Sequence, residues 1–122
     1  MLEICDIEKI SQICKENNIL LSVDNTFMSP YGQRPLELGA DIVMQSSTKS
    51  LSGHSDILGG VLTTNNEEIN EKLHFILKAT GAVPSPFDNW ILLRSTKTLA
   101  LRYQQSCDNA LTIAKWMRSI RS

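Results

Sequence analysis

Apolar residues recur at Ile7, Ile10, Ile13 and Cys14, which predicts a first helix with Asp6 as its N-cap and Asn17-Asn18 closing it. A short, mostly apolar run, Ile19-Leu20-Leu21-Ser22-Val23, then stops at Asp24 and predicts a buried strand. Pro30 and Gly32 make the segment from Asn25 to Gln33 a loop, and Pro35 to Gly39 suits one helical turn stopped by glycine. Asp41 to Gln45 predicts a second strand. The polar stretch from Ser46 to Asp56 has no periodicity and predicts a loop. Ile57 to Thr63 predicts a third strand interrupted by Gly59-Gly60, and glycines inside a strand often mark close approach of a ligand or another backbone. Asn65 and Glu68 resemble a capping pair for a helix reaching Ala79, with Ile69, Leu73, Ile76 and Leu77 inward. Gly81 to Pro84 is a loop, and Ser85-Pro86 opens a last helical region that runs nearly to Arg121 and breaks near Ser95-Thr96.

This order fits part of a buried α/β sheet followed by long C-terminal helices. The helical region ends without a returning strand, which points to one partial domain over residues 1–122.

Composition narrows the function. Hydrophobic residues are 42% and charged residues 20% of the 122-residue chain, an ordinary globular balance. The formal net charge is −1 and the basic residues are scattered, so no nucleic-acid partner is expected. No apolar run approaches membrane-spanning length, and the N-terminus carries early acids without the apolar core of a secretory leader. Cys5, Cys14 and Cys107 are odd in number and lack metal-type spacing. Reduced thiols in a cytoplasmic protein are the expectation.

One stretch carries candidate chemistry. Lys49 sits among the hydroxyls of Ser46, Ser47, Thr48 and Ser50, directly after a strand. Asp24 ends the preceding strand, 25 residues earlier. Ligands of α/β sheets bind beyond the carboxyl ends of the strands. A pyridoxal 5′-phosphate site needs a lysine amine for the aldehyde, hydroxyls for the phosphate, and a carboxylate facing the ring nitrogen. At about 4 Å and an effective dielectric near 20, such a carboxylate–pyridinium pair is worth on the order of 4 kcal/mol before desolvation, roughly 3 pK units. Taken singly, a lysine in a polar loop is usually a solvated surface residue, and an aspartate after a strand is usually a turn former.

Three ordered blocks add a resemblance. They are Val23-Asp24-Asn25-Thr26-Phe27, then Gln33 to Asp41, then Ser46-x-Thr48-Lys49-x-x-x-Gly53-His54-Ser55-Asp56. Together they resemble the Cys/Met-metabolism family of pyridoxal-phosphate enzymes. Gly81 to Asp88, with Leu93-Arg94-x-x-Lys97-Thr98-Leu99, is most similar to the cystathionine γ-lyase branch. The resemblance runs over nearly the whole chain.

It implies a partial aspartate-aminotransferase-like (fold type I) large domain with short, mostly parallel strands. It further implies that Lys49 binds the cofactor covalently and moves protons, that Asp24 faces the pyridine nitrogen, and that Ser46 and Thr48 hold the phosphate. The implied activity is carbon–sulfur lysis of an amino-acid substrate, cystathionine, by γ-elimination, in a homotetramer; the alternatives are cystathionine γ-synthase or methionine γ-lyase activity, between which these residues do not decide, and a catalytically inactive fragment of such an enzyme. The rest of the family's machinery lies outside this chain: an N-terminal arm, a second phosphate loop, a ring-stacking tyrosine, and a small C-terminal domain with a substrate-binding arginine. Arg94 and Arg102 do not match that arginine, His54 is expected to be structural, and His74 incidental. Two departures stand out: Ser50 where an aromatic is common, and Ser95-Thr96 where Gly-Leu is usual.

Ser46 to Lys49 also spells the S-x-x-K tetrad of penicillin-recognising hydrolases. Those enzymes further need S-D-N and K-T-G. Here Ser22-Val23-Asp24-Asn25 has an insertion and Lys97-Thr98-Leu99 lacks the glycine. Their serine also opens a helix, whereas Ser46 is expected in a loop. No P-loop motif occurs, and His54 with Asp56 lacks a third metal ligand.

Overall fold

A computed structural model describes residues 3–120. Helix α1 spans Ile7–Glu16, and the Asp6 side chain caps it by accepting from the Lys9 N–H. The helix stops at Asn17, and Asn18 takes a left-handed conformation at φ 54°.

Strand β1 is only Ser22–Asp24, shorter than the apolar run before it. Ile19 and Leu20 remain exposed at 58% and 62%. Their backbone is not in the ladder: the Ile19 N–H returns to the carbonyl of Cys14, and cross-strand bonding begins at Leu21, whose N–H donates to the Asp41 carboxylate. A strand at the sheet edge gains no burial for residues that do not pair.

Strand β2, Ile42–Ser46, runs parallel to β1, with Ser22 beside Ile42 and Asp24 beside Met44. A parallel pair requires a long crossover. It is supplied by the loop, by a four-residue helix α2 (Ser29–Gly32) where no helix was expected, and by the Pro35–Gly39 turn. Strand β3, Gly60–Thr63, is antiparallel to β2. The expectation of mostly parallel strands is thus corrected: the sheet order is β1-β2-β3 with one parallel and one antiparallel pairing. The segment between β2 and β3 contains only one helical turn, too little to carry the chain back across the sheet for a parallel return.

Helix α3 (Glu67–Thr80) is capped by Asn66 and not by the expected Asn65. The Asn66 side chain accepts from the Ile69 N–H, while Glu68 pairs with Lys72 along the exposed surface. Of the four positions expected inward, Ile69 is buried and Leu73 half-buried, but Ile76 and Leu77 are exposed. Ser85 caps α4 (Pro86–Thr96) by accepting from the Asp88 N–H, with Pro86 at the first helical position as expected. The chain bends at Lys97-Thr98, two residues later than expected, and α5 runs from Leu99 to Ser119.

The core is small: Ile7, Ala40, Val43, Leu51, Ile57, Ile69 and Leu99. Val43 in β2 is the most buried of these, and Leu51 lies in the segment that follows β2. Phe75, Phe87, Trp90, Leu93 and Trp116 are exposed along α3, α4 and α5. Among the described residues, no helix is long and apolar enough to cross a membrane. All three cysteines are free thiols.

Candidate functional site

Strands β1 and β2 end side by side. Strand side chains alternate between faces, so in-register pairing of Asp24 with Met44 places Asp24, Met44 and Ser46 on one face of the sheet. Val43 and Gln45 take the other face, where both are buried. Thr26 stitches the two strand ends together. Its hydroxyl accepts from the Ser46 N–H at 2.9 Å, its carbonyl accepts from the Ser50 hydroxyl at 3.4 Å, and its own N–H donates to Asp24 Oδ1 at 2.9 Å. Asn25, buried between them, ties the following loop: its amide donates to the carbonyls of Ser29 and Gln33 and accepts from the Gln33 side chain.

The Asp24 carboxyl is held below its ordinary pKa, first by the Thr26 side chain and then by the Thr26 N–H. It is therefore an anion at every pH above the usual carboxylate range. Among the described residues the backbone N–H of Thr26 reaches only Oδ1. A depressed folded pKa adds stability above the unfolded value, and this is lost as pH falls through the folded value. Thr26→Val should raise the Asp24 midpoint towards the ordinary value in a carboxyl-carbon NMR titration. It should also cost about 1 kcal/mol in urea unfolding, because the Ser46 N–H loses its acceptor. An unmoved midpoint would remove Thr26 as the cause.

Lys49 lies in a single helical turn, Ser47–Leu51, not in an irregular loop. The turn is kinked at Lys49 itself, whose φ and ψ of −88° and −124° leave the helical region. The Lys49 side chain is exposed, and its amine has no hydrogen-bond or ion-pair partner among the described residues. The Ser46 hydroxyl likewise has none. The Thr48 hydroxyl accepts from the Gly59 N–H at 3.0 Å and donates a long hydrogen bond to the Gly59 carbonyl at 3.5 Å, one that a stronger incoming acceptor would displace. Gly59 is needed because a Cβ there would crowd Ser47 Oγ at 2.9 Å. Gly59 thus marks close approach of the turn after β2, whereas a Cβ at Gly60 would meet the Gln45 carbonyl only at an ordinary 3.5 Å.

Ser46 precedes a helical turn, so the expected objection to the S-x-x-K tetrad on that point is withdrawn. No hydrogen bond joins the Ser46 hydroxyl to the Lys49 amine, however, and the turn is kinked between the positions a regular helix would align.

Lys49 and Thr48 line a cleft of about 970 Å³ between this turn and α5, together with Phe27, Arg102, Tyr103 and Cys107. Asp24 does not line it; Asp24 joins Ser46 on the sheet face instead. Thr26, Asn25 and Arg102 are the organising residues that sequence reasoning missed. The Arg102 guanidinium donates to the carbonyls of Ser50, Leu51 and Ser95 and to the Thr98 hydroxyl. His54 Nδ1 donates to the Ser52 carbonyl, the structural role expected of it. His74 is exposed on α3, and Arg94 stacks over Trp90 at 5.9 Å. Among the described residues no group of three or more His, Cys, Asp or Glu could hold a metal ion.

A family model described as Cys/Met metabolism PLP-dependent enzyme matches residues 1–121. The chain is 49% identical over 117 residues to a probable cystathionine γ-synthase of Herpetosiphon aurantiacus, covering 96% of this chain and 37% of that protein. It is 50% identical over 117 residues to a cystathionine β-lyase of Coxiella burnetii, covering 95% and 30%. The crystal structure of cystathionine γ-lyase from Lactobacillus plantarum, complexed with L-serine, superimposes with a TM-score of 0.94 at 42% identity, over 97% of this chain and 31% of that one. The chain thus spans about a third of the length of the proteins it matches.

Proposed function

Since the chain belongs to the Cys/Met-metabolism family of pyridoxal-phosphate-dependent enzymes, we propose that Lys49 anchors the cofactor and that the protein cleaves the γ-carbon–sulfur bond of cystathionine. One observation carries this. Two adjacent parallel strand ends present an ionised carboxylate and a free hydroxyl on the same face, and an unpaired lysine amine follows three residues later.

The groups present fit the cofactor. Ser46 and Thr48 each have a hydroxyl proton to give a phosphate oxygen. Asp24 keeps one carboxylate oxygen to accept the proton of a pyridine nitrogen. Bound there, pyridoxal phosphate supplies an electron sink for carbanions next to the amino-bearing carbon. Lys49 forms the covalent anchor. Freed by the substrate amine, its own amine would take the α-proton, give that proton up, and only then take one from the adjacent β-carbon and pass it to the departing thiolate; the flexible lysine side chain can reach both carbons because they are one bond apart. Asp24, held anionic by Thr26, keeps the ring-nitrogen proton in place throughout. In the sum, cystathionine and water yield cysteine, 2-oxobutanoate and ammonia.

The chain supplies the anchoring part of a fold type I large domain. The resemblance implies an arm and a small domain that complete such a site, and the chain spans only about a third of the length of its relatives. The exposed apolar faces of α3, α4 and α5 fit burial against those parts and against further subunits of a tetramer.

Names among the relatives favour a second reading, in which the reaction is β-elimination or cystathionine synthesis. Products separate the three. With cystathionine as substrate, 2-oxobutanoate and cysteine support γ-elimination, whereas pyruvate and homocysteine assign β-elimination. Turnover only with an activated homoserine ester and cysteine assigns synthesis.

A further inference from the structure

We infer that Arg102 is a positioning residue for Lys49: its guanidinium closes the end of the lysine turn and so sets the direction from which the amine leaves the backbone. The inference rests on Lys49 being the cofactor lysine.

A helical turn leaves its last carbonyls without partners. Here the chain cannot continue the helix, because Lys49 departs from helical geometry and Gly53 turns away at φ 70°. Each carbonyl from Ser47 to Ser52 nonetheless has a donor. Ser47 O receives the Ser52 N–H at 3.0 Å, Thr48 O the Ser52 hydroxyl at 3.3 Å, and Lys49 O the Gly53 N–H at 2.7 Å. Ser52 O receives His54 Nδ1. The two remaining carbonyls, those of the residues directly after Lys49, are both taken by Arg102: Nη1 donates to Ser50 O at 2.7 Å and Nη2 to Leu51 O at 3.3 Å.

The other side of the guanidinium is equally committed. Nη2 donates to Ser95 O at 2.9 Å and Nε to Thr98 Oγ1 at 3.1 Å, both at the junction of α4 and α5. Only a planar fork with several donors can serve carbonyls on two elements at once. Among the described residues no carboxylate pairs with Arg102, and its four hydrogen bonds all go to neutral oxygens. Gly53 packs directly on the guanidinium, leaving no room there for a Cβ. The turn is therefore braced against two long helices by one side chain, while the Lys49 amine remains outside the brace, facing the cleft.

The test uses the whole chain with Arg102→Met and Arg102→Lys. Amide hydrogen exchange is followed at Ser52 and Gly53, with Val43 and Gln45 in β2 as internal references. Arg102→Met should speed exchange at Ser52 and Gly53 at least tenfold relative to β2. Arg102→Lys, which keeps the charge but not the fork, should fall between and serves where the methionine variant folds poorly. Exchange that is unchanged, or that rises equally in β2, overturns the inference. In parallel, the pyridoxal phosphate concentration giving half-maximal borohydride-fixed label on Lys49 should rise at least tenfold in Arg102→Met. A label on Lys49 that is indifferent to Arg102 also overturns it. If Lys49 of the unaltered chain takes no label at all, the cofactor assignment fails, and the brace on the turn is still decided by exchange.

Discussion

Lys49→Ala removes borohydride-fixed pyridoxal phosphate from the chain while leaving its fold in place. Lys49 is exposed and without partners, so its truncation opens no cavity and strands no polar group; the stability change should stay within about 0.5 kcal/mol. The effect on covalent attachment should be complete. The other lysines sit on exposed helix positions or pair with acids, as Lys9 does with Asp6 and Lys72 with Glu68. Peptide mapping of the reduced adduct checks this. A pyridoxyl group retained on the variant in equal amount, on any lysine, would end the assignment of Lys49.

Asp24→Asn tests the opposite end of the cofactor. The amide oxygen can still accept from the Thr26 N–H, so the link between the strand ends persists and only the charge is lost. A carboxylate–pyridinium pair is worth up to about 4 kcal/mol, so turnover in the complete protein should fall about a thousandfold. Covalent attachment at Lys49 should survive, because it needs the aldehyde and not the ring proton. Unchanged turnover of cystathionine would take Asp24 out of the mechanism. In the native chain the rate should hold as pH falls through the ordinary carboxylate range, since Thr26 keeps Asp24 ionised below it.

What the sequence made legible is where these two residues stand, Asp24 at the end of one strand and Lys49 just after the next, because apolar runs announce both strands. The resemblance of whole blocks, Asp24 to Phe27 and Ser46 to Asp56, then supplied the roles. The helix caps at Asp6 and Ser85 were legible for a simpler reason: a cap is a contact over three residues. The cap at Asn66 was misplaced by one residue, since Asn65 and Asn66 carry the same side chain and only the turn geometry chooses between them. The lysine turn was read as irregular because its residues have no apolar period. What makes it helical is closure by Ser52, Gly53 and a distant arginine.

Strand identity, helix starts and the chemical character of the site follow from neighbours within about four positions along the chain, where propensity and capping act. Strand direction, the shared face of Asp24 and Ser46, and the brace on Lys49 depend on contacts between residues 20 to 52 positions apart. Such contacts form only once the backbone has closed on itself. Their partners, a threonine hydroxyl and an arginine fork, leave no local periodicity by which to be found.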